Sequence, residues 1–454
     1  MPAETDSSFP ADFIWGAATA SYQIEGAAHA DGRGESVWDR FSATPGKVRG
    51  GDTGEVACDF YHRYRDDVKL MRELGLDAFR FSISWPRVFP DGRGRVNTAG
   101  LDFYDRLVDA LLAQGIEPFP TLFHWDSPQA FEEEGGWRSR STAEAFVEYA
   151  EAVAARLGDR VRFWTTHNEP WVYAWIGHSA GKHAPGHTSE TEAVAVAHHL
   201  LLSHGWAVQA IRRAAPDAQV GIVLDLHHNY PHSGSPEDEA AAWQVDGEGN
   251  RWFLDPIFRG TYPADLLERN AIVAPFVQDG DLEAIAAPLD FLGVNNYSRF
   301  LVSAGSDGPQ FVRNPEGQYT EMDWEVYPDG LYQVLVRVAK DYAPPAIYVT
   351  ENGAAFGDVR VHNGAVHDPE RTAYLETYID AVGRAIADGA PVKGYFVWSL
   401  FDNFEWGYGY SKRFGIVYID YPTLERVPKD SFYWYRDLIA SRSGAPRPSP
   451  VATT

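Results

Sequence analysis

What this chain is short of narrows the field before any motif is considered. Its 454 residues contain one cysteine, Cys58, which cannot close an intrachain disulfide, so nothing argues for a disulfide-stapled fold or an oxidising compartment. No run of about 18 apolar residues occurs, which leaves no transmembrane helix. The first residues, Met-Pro-Ala-Glu-Thr-Asp-Ser-Ser, offer neither a basic nor an apolar signal region, and a cytoplasmic protein is the expectation. Positive charge is also scarce. Lys and Arg number 39 against 64 Asp and Glu, a net charge of −25, which argues against a nucleic acid or an anionic membrane as partner. It suits a neutral or cationic small ligand, although an acidic surface also serves plain solubility.

No Pro- or Ser-rich linker and no internal repeat breaks the chain. With 44% hydrophobic and 23% charged residues it resembles an ordinary globular protein with a large core. Short β-branched or aromatic runs alternate with amphipathic stretches, and we read strands at Phe13–Ala17, Ala78–Ser84, Ile116–Phe123, Val161–Thr166, Gln219–Asp225, Asp290–Asn295, Ala346–Glu351 and Val392–Ser399. Between them, Leu101–Gln114 follows Asn97-Thr98 and stops at Gly115, and Thr142–Leu157 follows Ser141 and stops at Gly158. In the first of these, Leu101, Tyr104, Leu107, Val108, Leu111 and Leu112 share one face. Eight strand-then-helix units predict a single α/β domain over residues 9–440, a (β/α)8 TIM barrel, with a large open α/β sheet as the alternative. Residues 1–8 and 442–454 read as disordered tails.

A barrel of this kind places its active site at the C-terminal ends of the strands. The fourth strand ends in Thr166-His167-Asn168-Glu169-Pro170 and the seventh in Thr350-Glu351-Asn352-Gly353, so two carboxylates from distant strands face one pocket. Either alone would ordinarily be a helix cap or an ion-pair partner. Around them the other strand ends supply Gln23, Arg80, Trp85, His124, Trp125, Asn295, Tyr297, Trp398 and the run Asp402-Asn403-Phe404-Glu405-Trp406. Such a set suits a sugar, whose hydroxyls need donors and acceptors in fixed places and whose C–H faces pack on indole rings. Most of the 15 Trp are core filler; Trp398 and Trp406 differ because they flank Glu405 at the end of the eighth strand.

These residues sit in long motifs. Phe9-Pro10 through Ile14-Trp15-Gly16-Ala17-Ala18-Thr19-Ala20-Ser21-Tyr22-Gln23-Ile24-Glu25-Gly26, the segment around Asn168-Glu169-Pro170, Tyr348-Val349-Thr350-Glu351-Asn352-Gly353 and the stretch from Gly394 through Trp406 to Gly415 together resemble glycoside hydrolase family 1, the β-glucosidase family. The resemblance implies a retaining β-glycosidase acting on terminal nonreducing β-D-glucosyl residues by double displacement through a covalent glycosyl-enzyme, with some β-galactosidase and β-fucosidase side activity. It implies Glu351 as nucleophile and Glu169 as general acid/base. Gln23, His124, Asn168, Glu405 and Trp406 would then hold the sugar hydroxyls, Trp398 would lie beneath the ring, and Arg80, Asn295 and Tyr297 would surround Glu351. Trp125 joins the substrate-binding set from its place at the third strand end. No cofactor and no metal is implied, and the partner is a small β-glucoside.

Three positions depart from the family pattern: His167, expected to point away from the sugar by strand alternation, Asn296, and Asp225, the last two expected on the leaving-group side. Chemically, Arg80 and Tyr297 should hold Glu351 as a carboxylate, whose charge should keep Glu169 protonated. Glu405 would repel a phosphate, which points to an unphosphorylated sugar. A metal-dependent barrel hydrolase is the rival enzyme class, but His178, His183 and His187 lack its ligand spacing, and the pairs His198-His199 and His227-His228 cannot both face one ion on a regular element. A noncatalytic sugar-binding protein is the other rival, and it would be expected to have lost one of the two glutamates. Cys58 reads as a packed thiol and Glu132-Glu133-Glu134 as a solvated loop.

Overall fold

The computed structural model describes residues 9–269, 273–361 and 364–442. The expected tails fall outside these residues, except that Arg442 ends a helix. Eight parallel strands close a barrel in sequence order: β1 (Ile14–Ala18), β2 (Ala78–Ser82), β3 (Glu117–Phe123), β4 (Phe163–Asn168), β5 (Gln219–Asp225), β6 (Phe291–Asn295), β7 (Ile347–Asn352) and β8 (Val392–Trp398), with β8 returning to pair with β1. Each coincides with an expected strand to within a few residues. The principal helices between and after them are α1 (Phe60–Leu74), α2 (Thr98–Ala113), α3 (Arg140–Leu157), α4 (Glu190–Ala214), α5 (Trp252–Arg259), α6 (Pro328–Tyr342), α7 (Pro369–Ala387) and α8 (Asp430–Arg442).

Alternation along the strands splits the core into two layers. Outward residues meet the helices: on α2, Leu101, Tyr104, Leu107, Val108 and Leu111 are buried as expected, while Leu112 is only half-buried and Phe103 joins the face. Inward residues fill the lower barrel with rings. Phe119 stands 5.0 Å from Phe163, 5.4 Å from Phe291, 5.5 Å from Tyr348 and 5.0 Å from Phe396, and such pairs contribute roughly 0.5–1.5 kcal/mol each beyond their burial. Gly16 makes room for this plug, since a Cβ there would come within 2.2 Å of the Phe396 ring. The site therefore rests on a packed floor.

Helix starts differ from expectation. The amide of Asn97 donates to the Asp31 and Arg87 carbonyls instead of capping α2, and α3 begins after Ser139, whose hydroxyl bonds that of Ser141. Glu132 is no solvated loop residue: it lies in a short helix, paired with Arg138 and His187. Cys58 is buried, with its thiol 3.1 Å from the Asp402 carbonyl. Outside the barrel lie a hairpin of Val417–Asp420 with Glu425–Pro428 and a lateral sheet of Asn229–Pro231, Phe300–Gly305 and Gly308–Phe311. Neither was evident in the sequence, because these strands are largely half-buried or exposed and lack the continuous apolar runs of the barrel strands.

Candidate active site

The two strands that deliver the glutamates are the ones whose ladders slip beside them. The β4–β5 register shifts between Thr165 and Asn168, and the β7–β6 register between Val349 and Glu351. An irregularity of this kind re-aims the side chains that follow it. Glu169 then leaves β4 with φ +46, its N–H donating to the Val223 carbonyl at 2.9 Å. Trp125 (φ +77) and Trp406 (φ +45) are also left-handed. Each such non-glycine residue costs on the order of 1–3 kcal/mol and persists where surrounding contacts fix it; for Trp125 one of these is the indole N–H, which donates to the Asn168 carbonyl at 2.8 Å.

Glu169 and Glu351 line one cavity of about 700 Å³ at the C-terminal end of the barrel, together with His124, Trp125, Tyr297, Trp398, Glu405 and Trp406. Gln23, Arg80, Asn168 and Asn295 are buried, and the last three bond to residues of this wall. Arg80 donates to Glu351 Oε1 at 2.5 Å and to Asn168 Oδ1 at 2.7 Å, and the Tyr297 hydroxyl donates to Glu351 Oε2 at 2.6 Å. Glu169 has only a neutral donor, the Asn295 amide at 2.6 Å, and the Thr350 hydroxyl fixes that amide through Asn295 Oδ1 at 2.7 Å. One carboxylate is thus cradled by a cation and a phenol, the other by an amide.

These surroundings push the two acids apart. Burial lifts Glu351 above the ordinary carboxyl range even against the pull of Arg80 and Tyr297, so the cation does not by itself restore an ordinary carboxylate as the sequence suggested. Burial lifts Glu169 much further, the Asp225 charge adds to it, and the Glu351 charge follows only after these. The expected cause, repulsion by Glu351, is real but is not the leading one. Asp225, noted in the sequence only as a departure, lines the cavity, with His227 at 3.5 Å. Glu405 is pushed up to about 8 by burial and by Glu351.

Three residues expected to hold hydroxyls each keep one buried polar atom without a partner: Gln23 Oε1, Glu405 Oε2 and His124 Nδ1. Such orphans are rare in folded proteins and call for an explanation. The Gln23 amide is anchored to Asn403 Oδ1 at 3.0 Å and the Phe404 carbonyl at 2.9 Å, leaving its oxygen free. His124 is held neutral, its pKa driven well below the usual imidazole value by burial and then by Arg80. Since Asn168 Oδ1 already accepts from Arg80 and Asn295, the Asn168 amide donates to His124 Nε2 at 3.2 Å, and the proton lies on Nδ1. The His124 ring lies nearly parallel to Trp398 and Trp406, at 6.0 and 5.9 Å. Of the three orphans, Glu405 Oε2 and the His124 Nδ1 proton belong to residues that line the cavity, and both suit a polar ligand that faces the rings.

Of the departures, His167 points away from the cavity, bonding the Ser203 hydroxyl at 2.8 Å and stacking on Phe146. Asn296 is buried, donating to the Leu226 and Ser298 carbonyls, and does not reach the cavity. Trp171, Trp324 and Phe300 add further aromatics to the cavity wall, and Trp175 stacks on Trp171. Sequence reasoning also missed Lys182, His183 and Met322 in the wall. His183 had one signal, its Gly/Pro-containing loop; Lys182 and Met322 had none. Among the described residues no three His, Cys, Asp or Glu side chains converge as a metal site, and no helix is long and apolar enough to cross a membrane.

The chain is similar to known proteins in sequence and fold. The sequence model described as Glycosyl hydrolase family 1 matches residues 5–444. Beta-glucosidase A of Acetivibrio thermocellus is 49% identical over 440 residues, covering 95% of this chain and 98% of that protein. The bifunctional beta-D-glucosidase/beta-D-fucosidase of Bifidobacterium breve is 47% identical over 462 residues, covering 96% and 99%. The solved structure of a beta-glucosidase from Thermotoga maritima in complex with glucoimidazole superposes with a TM-score of 0.93 at 47% identity, over 96% of this chain and 99% of that one.

Proposed function

The chain belongs to glycosyl hydrolase family 1 and is a retaining β-glucosidase, and from that premise we propose that Glu351 is its nucleophile and Glu169 its general acid/base. The observation that carries the assignment is the opposite surroundings of two carboxylates in one cavity. Glu351 accepts from Arg80 and Tyr297, so its charge is stabilised; Glu169, with Asp225 nearby and only an amide donor, keeps its proton. Attack by the Glu351 carboxylate on the anomeric carbon breaks the glycosidic bond as Glu169 protonates the leaving oxygen. Glu169, now a carboxylate, takes a proton from water, and that water displaces Glu351 and releases the sugar with retained configuration.

In this reading Gln23, His124, Asn168, Glu405 and Trp406 bind the glycone, with Trp398 beneath it. Trp125 and Asn295 orient Asn168 and Glu169. Cellobiose, short β-glucosides and aryl glucosides are the substrates, with β-fucoside and β-galactoside cleavage as side activities; the Bifidobacterium breve relative, named for both glucosidase and fucosidase activity, supports the former. Residues 9–440 act as one catalytic domain, and the single buried cysteine suits a cytoplasmic setting. Incubation with an activated 2-deoxy-2-fluoro-β-glucoside tests the nucleophile directly. The expected result is a glycosyl adduct on the peptide containing Glu351; an adduct on any other residue would overturn the assignment.

A further inference from the structure

Part of the cavity rim is aromatic and plays no role in the chemistry at Glu169 and Glu351. Phe311 closes the outer strand of the lateral sheet and is 64% exposed. Its ring centroid lies 4.8 Å from that of Phe300, and Phe300 stacks on His227 at 4.4 Å with the planes 25° apart. Phe300 and His227 line the cavity; Phe311 lies outside it. The three rings therefore form a continuous run from the cavity to its outer edge. A lone exposed apolar side chain needs no explanation, but this one extends an established site.

The backbone beneath the run is tied into the lateral sheet. Phe311 stands opposite Val302 in an antiparallel pair, two residues from Phe300 and hence on the same face. The Val312 N–H donates to the Leu301 carbonyl at 2.8 Å, the Phe300 N–H to the His228 carbonyl at 3.2 Å, and the Ala304 N–H to the Asp238 carboxylate at 2.7 Å. Asp225, which lines the cavity too, lies 3.5 Å from the His227 imidazole. A backbone already set in a sheet leaves only side-chain ordering to be met on binding.

Resting on the β-glucosidase reading, we propose that His227, Phe300 and Phe311 form a shelf that takes the reducing-end units of β-1,4-linked gluco-oligosaccharides of three or more sugars. The flat C–H faces of glucosyl rings pack on aromatic faces, and the two phenyl rings carry no charge, which fits a neutral glucan. A single-ring aryl leaving group is held at the inner wall beside Glu169 and does not extend as far as Phe311. Only a leaving group of several units uses the whole run, so the shelf sets chain-length preference.

The test compares kcat/KM for cellotetraose, cellobiose and an aryl β-glucoside in the wild-type protein, Phe311→Ala and Phe311→Tyr. The shelf predicts that the ratio of cellotetraose to aryl glucoside falls at least threefold in Phe311→Ala and returns in Phe311→Tyr. An unchanged ratio, or a wild-type enzyme that cleaves cellobiose but handles cellotetraose far worse, overturns the shelf alone. A wild-type enzyme inactive on cellobiose and aryl glucoside overturns the functional reading beneath it. A change of oligomeric state in Phe311→Ala with the ratio intact makes the patch a contact between copies and likewise refutes the shelf.

Discussion

Glu405 should make the enzyme less stable while making it active, and Glu405→Gln separates the two. Burial and the Glu351 charge move its pKa from the ordinary 4.5 up to about 8. Below pH 4.5 the carboxyl is protonated in both folded and unfolded chains and contributes no pH dependence. Between 4.5 and 8 the unfolded chain ionises freely while the folded one resists, so stability falls as pH rises, by about 1.4 kcal/mol per pH unit. Above pH 8 both forms are ionised and the penalty levels off, at a ceiling of roughly 5 kcal/mol. Glutamine keeps the shape and has no proton to lose. With unfolding entropy of about 2.1 cal/mol/K per residue over 454 residues, that ceiling is about 5 °C in Tm. Melting curves of both proteins from pH 4 to 9 should show a Tm difference that is flat at the acid end and widens in favour of Glu405→Gln up to pH 8. Activity should move the other way, kcat/KM for glucosides falling by up to about tenfold as the carboxyl's hydrogen bond to the glycone is replaced by a weaker amide one. Parallel melting profiles at all pH values would refute the claim that the fold holds Glu405 neutral.

The acid assignment predicts that Glu169→Gln loses about 10²–10⁴ in kcat/KM on substrates with poor leaving groups and far less on dinitrophenyl glucosides; an equal effect on both would remove Glu169 from that role. Because the Asp225 charge raises Glu169, Asp225→Asn should lower the pKa of the acid, and the alkaline limb of kcat/KM against pH should move toward acid; a fixed or alkaline-shifted limb contradicts this. With no converging ligand set among the described residues, excess chelator should leave the rate on an aryl glucoside unchanged, and its loss would bring back the metal-dependent reading.

Much of this architecture could be read from residue patterns. The strands announced themselves because buried parallel strands are near-continuous apolar runs, and the search of strand ends found Glu169, Glu351, His124, Trp125 and Glu405. Local pattern could not reveal where ladders slip. The shifts after Thr165 and Val349 arise from three-dimensional pairing, yet they decide how Asn168 and Glu351 are aimed. Asp225 was visible as a strand-end residue beside β4, but its pull on Glu169 depends on how deeply both are buried, which no local pattern displays. Asn97 looked like a helix cap because its type suits one; its amide was drawn to two carbonyls that a linear reading cannot place next to it.

The bond from Gln23 to Asn403 joins residues 380 apart, and the Tyr435 hydroxyl reaches the Gly16 carbonyl across 419. The first and last barrel units are thus tied together beside the candidate site. Nascent chain emerging from a ribosome can stack β1 through β7 and their helices, but it has no sugar site until β8 and the segment through Tyr435 arrive. Activity therefore requires the last barrel unit, and the long loops closed in that step are the ones that contact order marks as slow.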